Sequence, residues 1–235
     1  MLNLFYSYDV AIENAYVITV KGNEKSEELS RRCQSTCASV DMPYKVWDAY
    51  NGLGQTIIEP EHSKNNTIMG QLKITDHYMT RGEVACALSH ISLWSHCATI
   101  DKPIVILEHD AIMVKRYEQH TAYNSIVYLG GNEWAKQNWP MLYIPPHASE
   151  GPNYHFICRA HAYSIDPAMA KNLLSHVLKF GIIAPLDIIM RTDIFNVSHN
   201  GLYAYDDNED AKETTTIKAR PVAGRTTERN DKLTY

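Results

Sequence analysis

The chain alternates between two patterns of hydrophobic and polar positions. Short runs of branched apolar and aromatic residues, typical of strands, alternate with stretches in which apolar residues recur every three or four positions, as in helices. Strands are predicted at residues 14–20, 44–50, 104–107, 126–129, 141–144, 156–165 and 202–205. Strands that alternate with helices indicate an α/β fold with a mostly parallel sheet.

Helices are predicted at residues 25–39, 82–100, 114–123 and 167–179, with a short amphipathic element at 185–194. The pattern over 82–100 is the clearest, because its apolar residues form one continuous face. Asp166 and Pro167 are typical of a helix N-cap and first helical position, and Gly181 of a helix end. The polar stretch between residues 53 and 80 predicts a long surface loop with one short helix, a place where binding residues are common.

Composition narrows the class of protein. With 235 residues, 45% hydrophobic and 21% charged, the chain is typical of a globular protein. We expect one catalytic domain over residues 1–211 and a polar tail over 212–235. The net charge of −5 disfavours a polyanionic partner, although the tail has six basic against three acidic residues.

Cysteine use and hydropathy suggest a cytoplasmic location. The five cysteines are odd in number, and none of their spacings forms a C-x-x-C pair, so reduced thiols are expected. No apolar run approaches the roughly 20 residues that span a bilayer, and the N-terminus lacks a signal-peptide pattern. We therefore expect a protein of the cytoplasm, which would be that of a bacterial host if a phage encodes it.

Two carboxylates follow the most apolar predicted strand. Ile104–Leu107 is followed directly by Glu108, His109 and Asp110. Ligands of open α/β sheets bind at the carboxyl ends of strands, and carboxylate oxygens there suit Mg²⁺ or Mn²⁺ held jointly with phosphates. The alternative is a strand that ends in a charged, solvated turn, and the motif alone leaves both interpretations open.

The surrounding sequence resembles the family 25 glycosyltransferases, which include lipopolysaccharide and collagen-type galactosyltransferases. The most specific similarity is the helix Gly82-Glu83-x-x-Cys86-x-x-Ser89-His90, followed by a strand that ends in Glu-His-Asp where the family has Glu-Asp-Asp. Weaker similarities are the turn Ala49-x-x-Gly52, the segment 162–174 and Pro185-x-Asp187. The resemblance extends over residues 14–205.

This resemblance implies a GT-A fold with a Rossmann-like nucleotide-binding half. It also implies inverting transfer of a sugar from a nucleotide donor, most plausibly uridine-linked, with Mn²⁺ or Mg²⁺. Carried over, Asp110 is the main metal ligand and Glu108 holds the ribose or a metal-bound water, with His199 as a further metal ligand. Asp187 is the expected catalytic base; its alternative role is that of an N-cap after Pro185.

Further residues are assigned to the donor and the acceptor. The expected donor contacts are Thr19, Lys21, Arg32, Asn51, Gly52, Glu108 and His109. The expected acceptor-side residues are Glu83, His90 and Tyr163, although Glu83 could instead serve the start of its helix and His90 could be a half-buried structural histidine. The chain departs from the family at His109, and at residues 19–22, where Thr-Val-Lys-Gly replaces Asn-Leu-x-Arg. These departures favour an altered donor or acceptor.

The acceptor stays open between two classes. A lipopolysaccharide or capsule saccharide follows from the resemblance, and a hydroxymethylated base in phage DNA, flipped out of the duplex, follows from the basic tail. A lysyl hydroxyl ranks third. The alternatives from other classes are a non-catalytic module that binds nucleotide sugars or carbohydrates, and a metal-dependent phosphohydrolase.

Overall fold

A computed structural model describes residues 8–75, 79–131 and 160–206 of the protein. The helices are α1 (Glu24–Ser39), α2 (Arg81–Ile100), α3 (Pro167–Phe180) and the short α4 (Leu186–Ile189). The strands are β1 (Val10–Ala11), β2 (Ala15–Thr19), β3 (Tyr44–Asp48), β4 (Ile104–Leu107), β5 (Ala111–Met113), β6 (Gln119–His120), β7 (Ile126–Gly131), β8 (Ala162–Ile165) and β9 (Val197–Asp206). Two 3-10 turns, Glu61–Ser63 and Met69–Gln71, lie in the predicted long loop.

Seven strands form one sheet in the order β3-β2-β4-β8-β7-β9-β5. Neighbours β3-β2, β2-β4 and β7-β9 are parallel, whereas β4-β8, β8-β7 and β9-β5 are antiparallel. The α/β class is confirmed, but the prediction of a mostly parallel sheet is wrong, because the sheet is mixed. A strand buried on both faces is a run of apolar residues whichever way it points, so the pattern does not reveal its direction.

The sheet is covered on both faces. Tyr16 and Ile106 belong to the core beneath α2 and α3, whereas Val17 and Leu107 belong to a second core that includes the α1 residues Cys33 and Cys37. Successive side chains of a strand point to opposite faces. This explains why β2 and β4 are continuously apolar.

Helix α2 holds the long loop in place. Its buried hydroxyls Ser89, Ser92 and Ser95 each accept a hydrogen bond at 2.9 Å, from the Tyr50 backbone N, Trp47 Nε1 and Asn66 Nδ2 respectively. Buried hydroxyls on a helix are stable when they are paired in this way. The end of β3 and the loop after it are therefore fixed against the middle of α2.

Several local predictions are confirmed. Asp166 caps α3 by accepting from the Met169 backbone N, Pro167 is its first residue, and Gly181 ends it with φ of 82°. The short element near Asp187 forms only α4. The predicted strand at 202–205 is part of the longer β9, and the described part of the predicted 156–165 strand is β8.

The predicted helix over residues 114–123 is wrong. This segment bends, and its residues 119–120 form β6, which pairs with β1. The Val114 and Lys115 backbone N–H groups donate to the Tyr203 carbonyl, so tertiary pairing with β9 replaces helical hydrogen bonds.

Two further predictions, the strand at 141–144 and the basic tail, lie outside the described residues. Within the described ranges, no helix has both the length and the apolarity needed to cross a membrane.

Candidate active site

A cleft opens at the carboxyl ends of the parallel strands β2, β3 and β4, beside the first half of α2. Its lining is formed by Ile18, Val20, Ala49, Tyr50, Gly52, Leu53, Gly82, Ala85, Cys86, Ser89, His90, Glu108, His109 and Asp110. Ligand sites of α/β sheets occupy this position. The two carboxylates after β4 therefore lie in a cleft, and the alternative of a merely solvated turn does not describe them.

Gly52 allows the loop to approach the start of α2. A Cβ atom at this position would lie 2.4 Å from the Arg81 carbonyl oxygen and 2.9 Å from the Ala85 Cβ, so only glycine fits. The neighbouring Asn51 accepts from the Leu53 backbone N at 3.0 Å through Oδ1, and its backbone pairs with Ile58. Gly52 thus lines the cleft, whereas the Asn51 side-chain oxygen shapes the turn.

Glu108 is held by both backbone and side-chain contacts. Its backbone N donates to the His161 carbonyl at 2.8 Å, and its Oε1 accepts from His90 Nε2 at 3.2 Å and from Cys86 Sγ at 3.7 Å. Burial acts to raise the pKa of Glu108, but the hydrogen bond and charge of His90 outweigh it and lower this pKa to about 2. Glu108 is therefore an oriented, ionised carboxylate at neutral pH.

The carboxyl group of Asp110 differs from that of Glu108 in its hydrogen bonds and in the direction of its pKa shift. Its Oδ1 atom is buried and has no hydrogen-bond partner among the described residues. Burial, followed by the charge of Glu108, raises the pKa of the Asp110 carboxyl. A buried carboxylate oxygen without a hydrogen bond is unfavourable, and a cation beside both acids would relieve that cost.

A buried chain of hydrogen bonds supports His90 from behind. The Trp94 Nε1 donates to the Tyr163 hydroxyl at 2.9 Å, and this hydroxyl lies 2.9 Å from His90 Nδ1. Because ionised Glu108 can only accept, His90 donates to it from Nε2, while its Nδ1 is held against the Tyr163 hydroxyl. Tyr163 is fully buried, so its position supports a role in orienting His90.

Glu83 is the third residue of α2 and forms a capping box with Thr80. The Thr80 backbone N and hydroxyl donate to Glu83 Oε2 at 2.7 Å and 3.0 Å, and the Glu83 backbone N donates to Thr80 Oγ1 at 3.2 Å. These contacts support the helix-start alternative. The assignment of Glu83 to the acceptor stays a prediction.

Asp187 lies in the first turn of α4, which contacts α2. The N-cap is Pro185 and no side chain caps this helix, so Asp187 is not an N-cap residue. Burial raises the pKa of the Cys86 thiol, and the charges of Glu108 and Asp187 raise it further. Asp187 is thus near enough to the cleft for its charge to act on a lining residue.

Three expected donor contacts lie near the α1 side of the sheet. The buried Thr19 hydroxyl is 2.6 Å from that of Ser30, so it joins β2 to α1. Lys21 is 80% exposed, and its Nζ lies 3.9 Å from Asp48 Oδ2. Arg32 is partly buried on α1. These three residues are not part of the described cleft lining, and their donor roles stay predictions.

The expected donor contact His109 and the expected metal ligand His199 are in separate places. His109 lines the cleft, and its Nδ1 lies 3.4 Å from the Ser26 hydroxyl at the start of α1. His199 is buried in β9, where its Nε2 donates to the Gly130 carbonyl at 3.0 Å. Residues that line the described cleft include His109 but not His199, whose metal-ligand role stays a prediction.

Cys86 is a cleft residue with metal-binding chemistry to which no role was assigned from the sequence. It lies one helical turn before His90, and its Sγ, the His90 nitrogen and a Glu108 oxygen are all within 4.8 Å of one another. The Cys-x-x-x-His spacing, which puts both side chains on one face of a helix, is the sequence signal that could have indicated it.

Comparison with known families identifies the class. The model of glycosyltransferase family 25 (LPS biosynthesis protein) matches residues 12–142, which include β2, β3, β4, α2 and both cleft carboxylates. The chain therefore belongs to glycosyltransferase family 25. No curated protein matches the chain.

Proposed function

We propose that the protein is a metal-dependent, inverting glycosyltransferase of the GT-A type that uses a UDP-linked sugar and a saccharide acceptor. The observation that carries this proposal is the buried, unpartnered Asp110 Oδ1 in the cleft of a family 25 chain. Three parallel strands whose carboxyl ends meet at that cleft are compatible with a nucleotide-binding half.

The residues present fit a hard divalent cation. Asp110 and Glu108 offer oxygen atoms, which Mg²⁺ and Mn²⁺ prefer. When bound, such an ion neutralises charge on the departing nucleoside diphosphate. Asp110 is the principal ligand, because its buried oxygen otherwise lacks a partner. Glu108, whose Oε1 is occupied by His90, uses its second oxygen for the donor ribose.

Asp187 is the proposed base. The acceptor hydroxyl oxygen forms a bond to the anomeric carbon while the bond from that carbon to the diphosphate oxygen breaks, and the hydroxyl proton passes to the Asp187 carboxylate. A single displacement of this kind inverts the anomeric configuration. The position of α4 against α2 supports this role, since it brings Asp187 near the cleft.

A saccharide is the preferred acceptor. The family description names lipopolysaccharide biosynthesis, whose acceptors are saccharides. The alternative of a hydroxymethylated DNA base depended on basic residues of 212–235, which lie outside the described residues. DNA is therefore a competing acceptor in the test.

The test is mass spectrometry of products after incubation with a panel of UDP-sugars, Mn²⁺, and either oligosaccharide or hydroxymethylated-DNA acceptors. We expect a sugar mass increment on an oligosaccharide, abolished by EDTA and by Asp110→Asn. Asp41→Asn is the matched control, since Asp41 is exposed, lies before β3 far from its carboxyl end, and has a left-handed φ of 54° that asparagine tolerates.

Each other outcome overturns a stated part of the proposal. Transfer to DNA alone would show that the acceptor is DNA and not a saccharide. Transfer that survives EDTA would show that the reaction does not need a divalent ion. Donor binding without transfer or hydrolysis would favour a non-catalytic binding module.

A further inference from the structure

The geometry points to a second, thiophilic metal site in the same cleft, in which Cys86, His90 and Glu108 bind Zn²⁺ and thereby inhibit sugar transfer. These three residues form a cluster of sulfur, nitrogen and oxygen donors, which we call the Cys-His-Glu cluster. The cluster differs in chemistry from the oxygen ligands proposed for Mn²⁺ or Mg²⁺.

Two of the three donor distances in the Cys-His-Glu cluster match those of ligands of one ion, and all three donor atoms lie within 4.8 Å of one another. Tetrahedral Zn²⁺ with bonds of about 2.3 Å to sulfur and about 2.0–2.1 Å to nitrogen and oxygen sets N···O near about 3.3 Å and S···O near about 3.6 Å. The corresponding distances are 3.2 Å from His90 Nε2 to Glu108 Oε1 and 3.7 Å from Cys86 Sγ to the same oxygen. Little movement of these heavy atoms is needed for an ion to enter, and the hydrogen on His90 Nε2 leaves so that its lone pair can bind the ion.

The protein also provides the surroundings of a metal site. The imidazole of a ligating histidine is usually held through its other nitrogen, and His90 Nδ1 lies 2.9 Å from the Tyr163 hydroxyl. Cys86 and His90 are four residues apart on α2, so the helix fixes their relative position. All three ligands line the cleft, which leaves a fourth coordination position accessible to water.

Ligand type separates this site from the catalytic one. Thiolate and imidazole favour Zn²⁺, Co²⁺ or Cd²⁺ over Mg²⁺ and Mn²⁺. The Cys86 thiol must lose its proton when the ion binds, so part of the binding free energy is used to ionise it. An ion held on Glu108 Oε1 would place positive charge near Asp110, two residues further along the chain, and so disfavour binding of the catalytic cation there. This inhibitory consequence rests on the proposed function, whereas the site rests on the geometry alone.

The experiment is a titration of the full chain with Co²⁺, followed by optical absorption, and then displacement of Co²⁺ by Zn²⁺. We expect one Co²⁺ per chain with a sulfur-to-cobalt charge-transfer band and tetrahedral ligand-field bands. Cys86→Ser and His90→Gln should weaken Zn²⁺ binding at least about tenfold and remove or alter these bands. Cys97→Ser is the matched control, since Cys97 is a second cysteine of α2 outside the cleft lining and should leave the spectrum unchanged.

A wild-type spectrum without the charge-transfer band, or a band that survives Cys86→Ser, would overturn the site. A transfer assay at saturating Mn²⁺ then tests inhibition: Zn²⁺ should lower the wild-type rate at concentrations that fill the site. If Zn²⁺ fills the Cys-His-Glu cluster and the transfer rate is unchanged, the proposed inhibition is wrong. If the wild-type protein transfers no sugar, both the proposed function and the proposed inhibition are wrong. The cobalt spectrum still tests whether the Cys-His-Glu cluster binds a metal ion.

Discussion

Two buried polar regions lie at opposite ends of β4 and differ in how completely their hydrogen bonds are made. Near its amino end, His120 lies 2.7 Å from the Ser164 hydroxyl and 3.1 Å from that of Ser125. Asp166 accepts from three backbone N–H groups, those of Asn124, Ser125 and Met169. We call these residues the closed cluster. Near the carboxyl end, Asp110 keeps a buried oxygen without a described partner.

The difference separates a structural cluster from a binding site. Native proteins pair nearly all their buried polar atoms, and an unpaired one calls for an explanation such as a missing ion. The closed cluster needs no ligand, because its carboxylate is satisfied by the protein. The cleft leaves a carboxylate unsatisfied where a ligand can reach it. Substitutions in the two regions should therefore affect different properties.

The largest expected effect is on activity. Asp110→Asn should lower the transfer rate at least about 100-fold, because it removes the main ligand of the divalent ion. The free energy of unfolding should stay within about 0.5 kcal/mol or increase, since the substitution removes a charge that burial and the charge of Glu108 disfavour. Transfer assays and urea unfolding of the same preparation measure both. If Asp110→Asn lost stability but kept full activity, Asp110 would be a structural residue and not a metal ligand.

Asp166→Ala should have the opposite result. It removes the acceptor of three backbone N–H groups, including the cap of α3, and should destabilise the fold by about 2–4 kcal/mol. Transfer per folded molecule should be unchanged at temperatures well below unfolding. Urea unfolding measures the first quantity, and the rate normalised to folded protein measures the second. A tenfold fall in the normalised rate would show that the closed cluster contributes to activity and is not purely structural.

A smaller effect distinguishes two tyrosine–histidine pairs. Tyr163→Phe and Tyr16→Phe each remove a hydroxyl near a histidine nitrogen, at 2.9 Å from His90 and 2.8 Å from His96, and each should cost about 1–2 kcal/mol of stability. Only Tyr163→Phe should also lower the transfer rate, by about tenfold, because His90 orients Glu108. Equal rates in the two variants would contradict the orienting role of Tyr163.

The smallest effect concerns pH and the closed cluster. Burial lowers the pKa of His120 to about 4, so the folded protein keeps it neutral while the unfolded chain protonates it near pH 6.5. The stability from neutral His120 is complete above the unfolded pKa and is lost as the pH falls from about 6.5 towards 4, by about 1 kcal/mol at pH 5.5. The His120→Gln variant should lack this pH-dependent contribution to the free energy of unfolding. Urea unfolding at pH 7.5 and 5.5 tests it, and parallel losses in the two proteins would contradict it.

Much of the cleft follows from local sequence. An apolar strand that ends in Glu108-His109-Asp110, preceded by a helix with His90, predicts carboxylates at a sheet edge and a histidine nearby, and both lie in the cleft. Asp166 and Pro167 predict the start of α3, because capping depends on residues that are adjacent in sequence.

The remaining features depend on contacts between distant residues. Tyr163 meets His90 only because β8 lies antiparallel beside β4, and apolar periodicity does not reveal that direction. Residues 114–123 have a helical composition, but pairing to Tyr203 decides their conformation. Cys86 is an inconspicuous helical cysteine until the sheet places Glu108 next to it.

The central claim, that Asp110 holds a divalent ion for a nucleotide donor, is tested most directly by measuring free Mn²⁺ by electron paramagnetic resonance. Wild-type protein, Asp110→Asn and Asp187→Asn would be titrated in the presence of UDP. Both variants should lose transfer, but only Asp110→Asn should weaken Mn²⁺ binding, by at least about tenfold, because Asp187 acts on the acceptor. Binding of Mn²⁺ by Asp110→Asn with the wild-type affinity would contradict the claim.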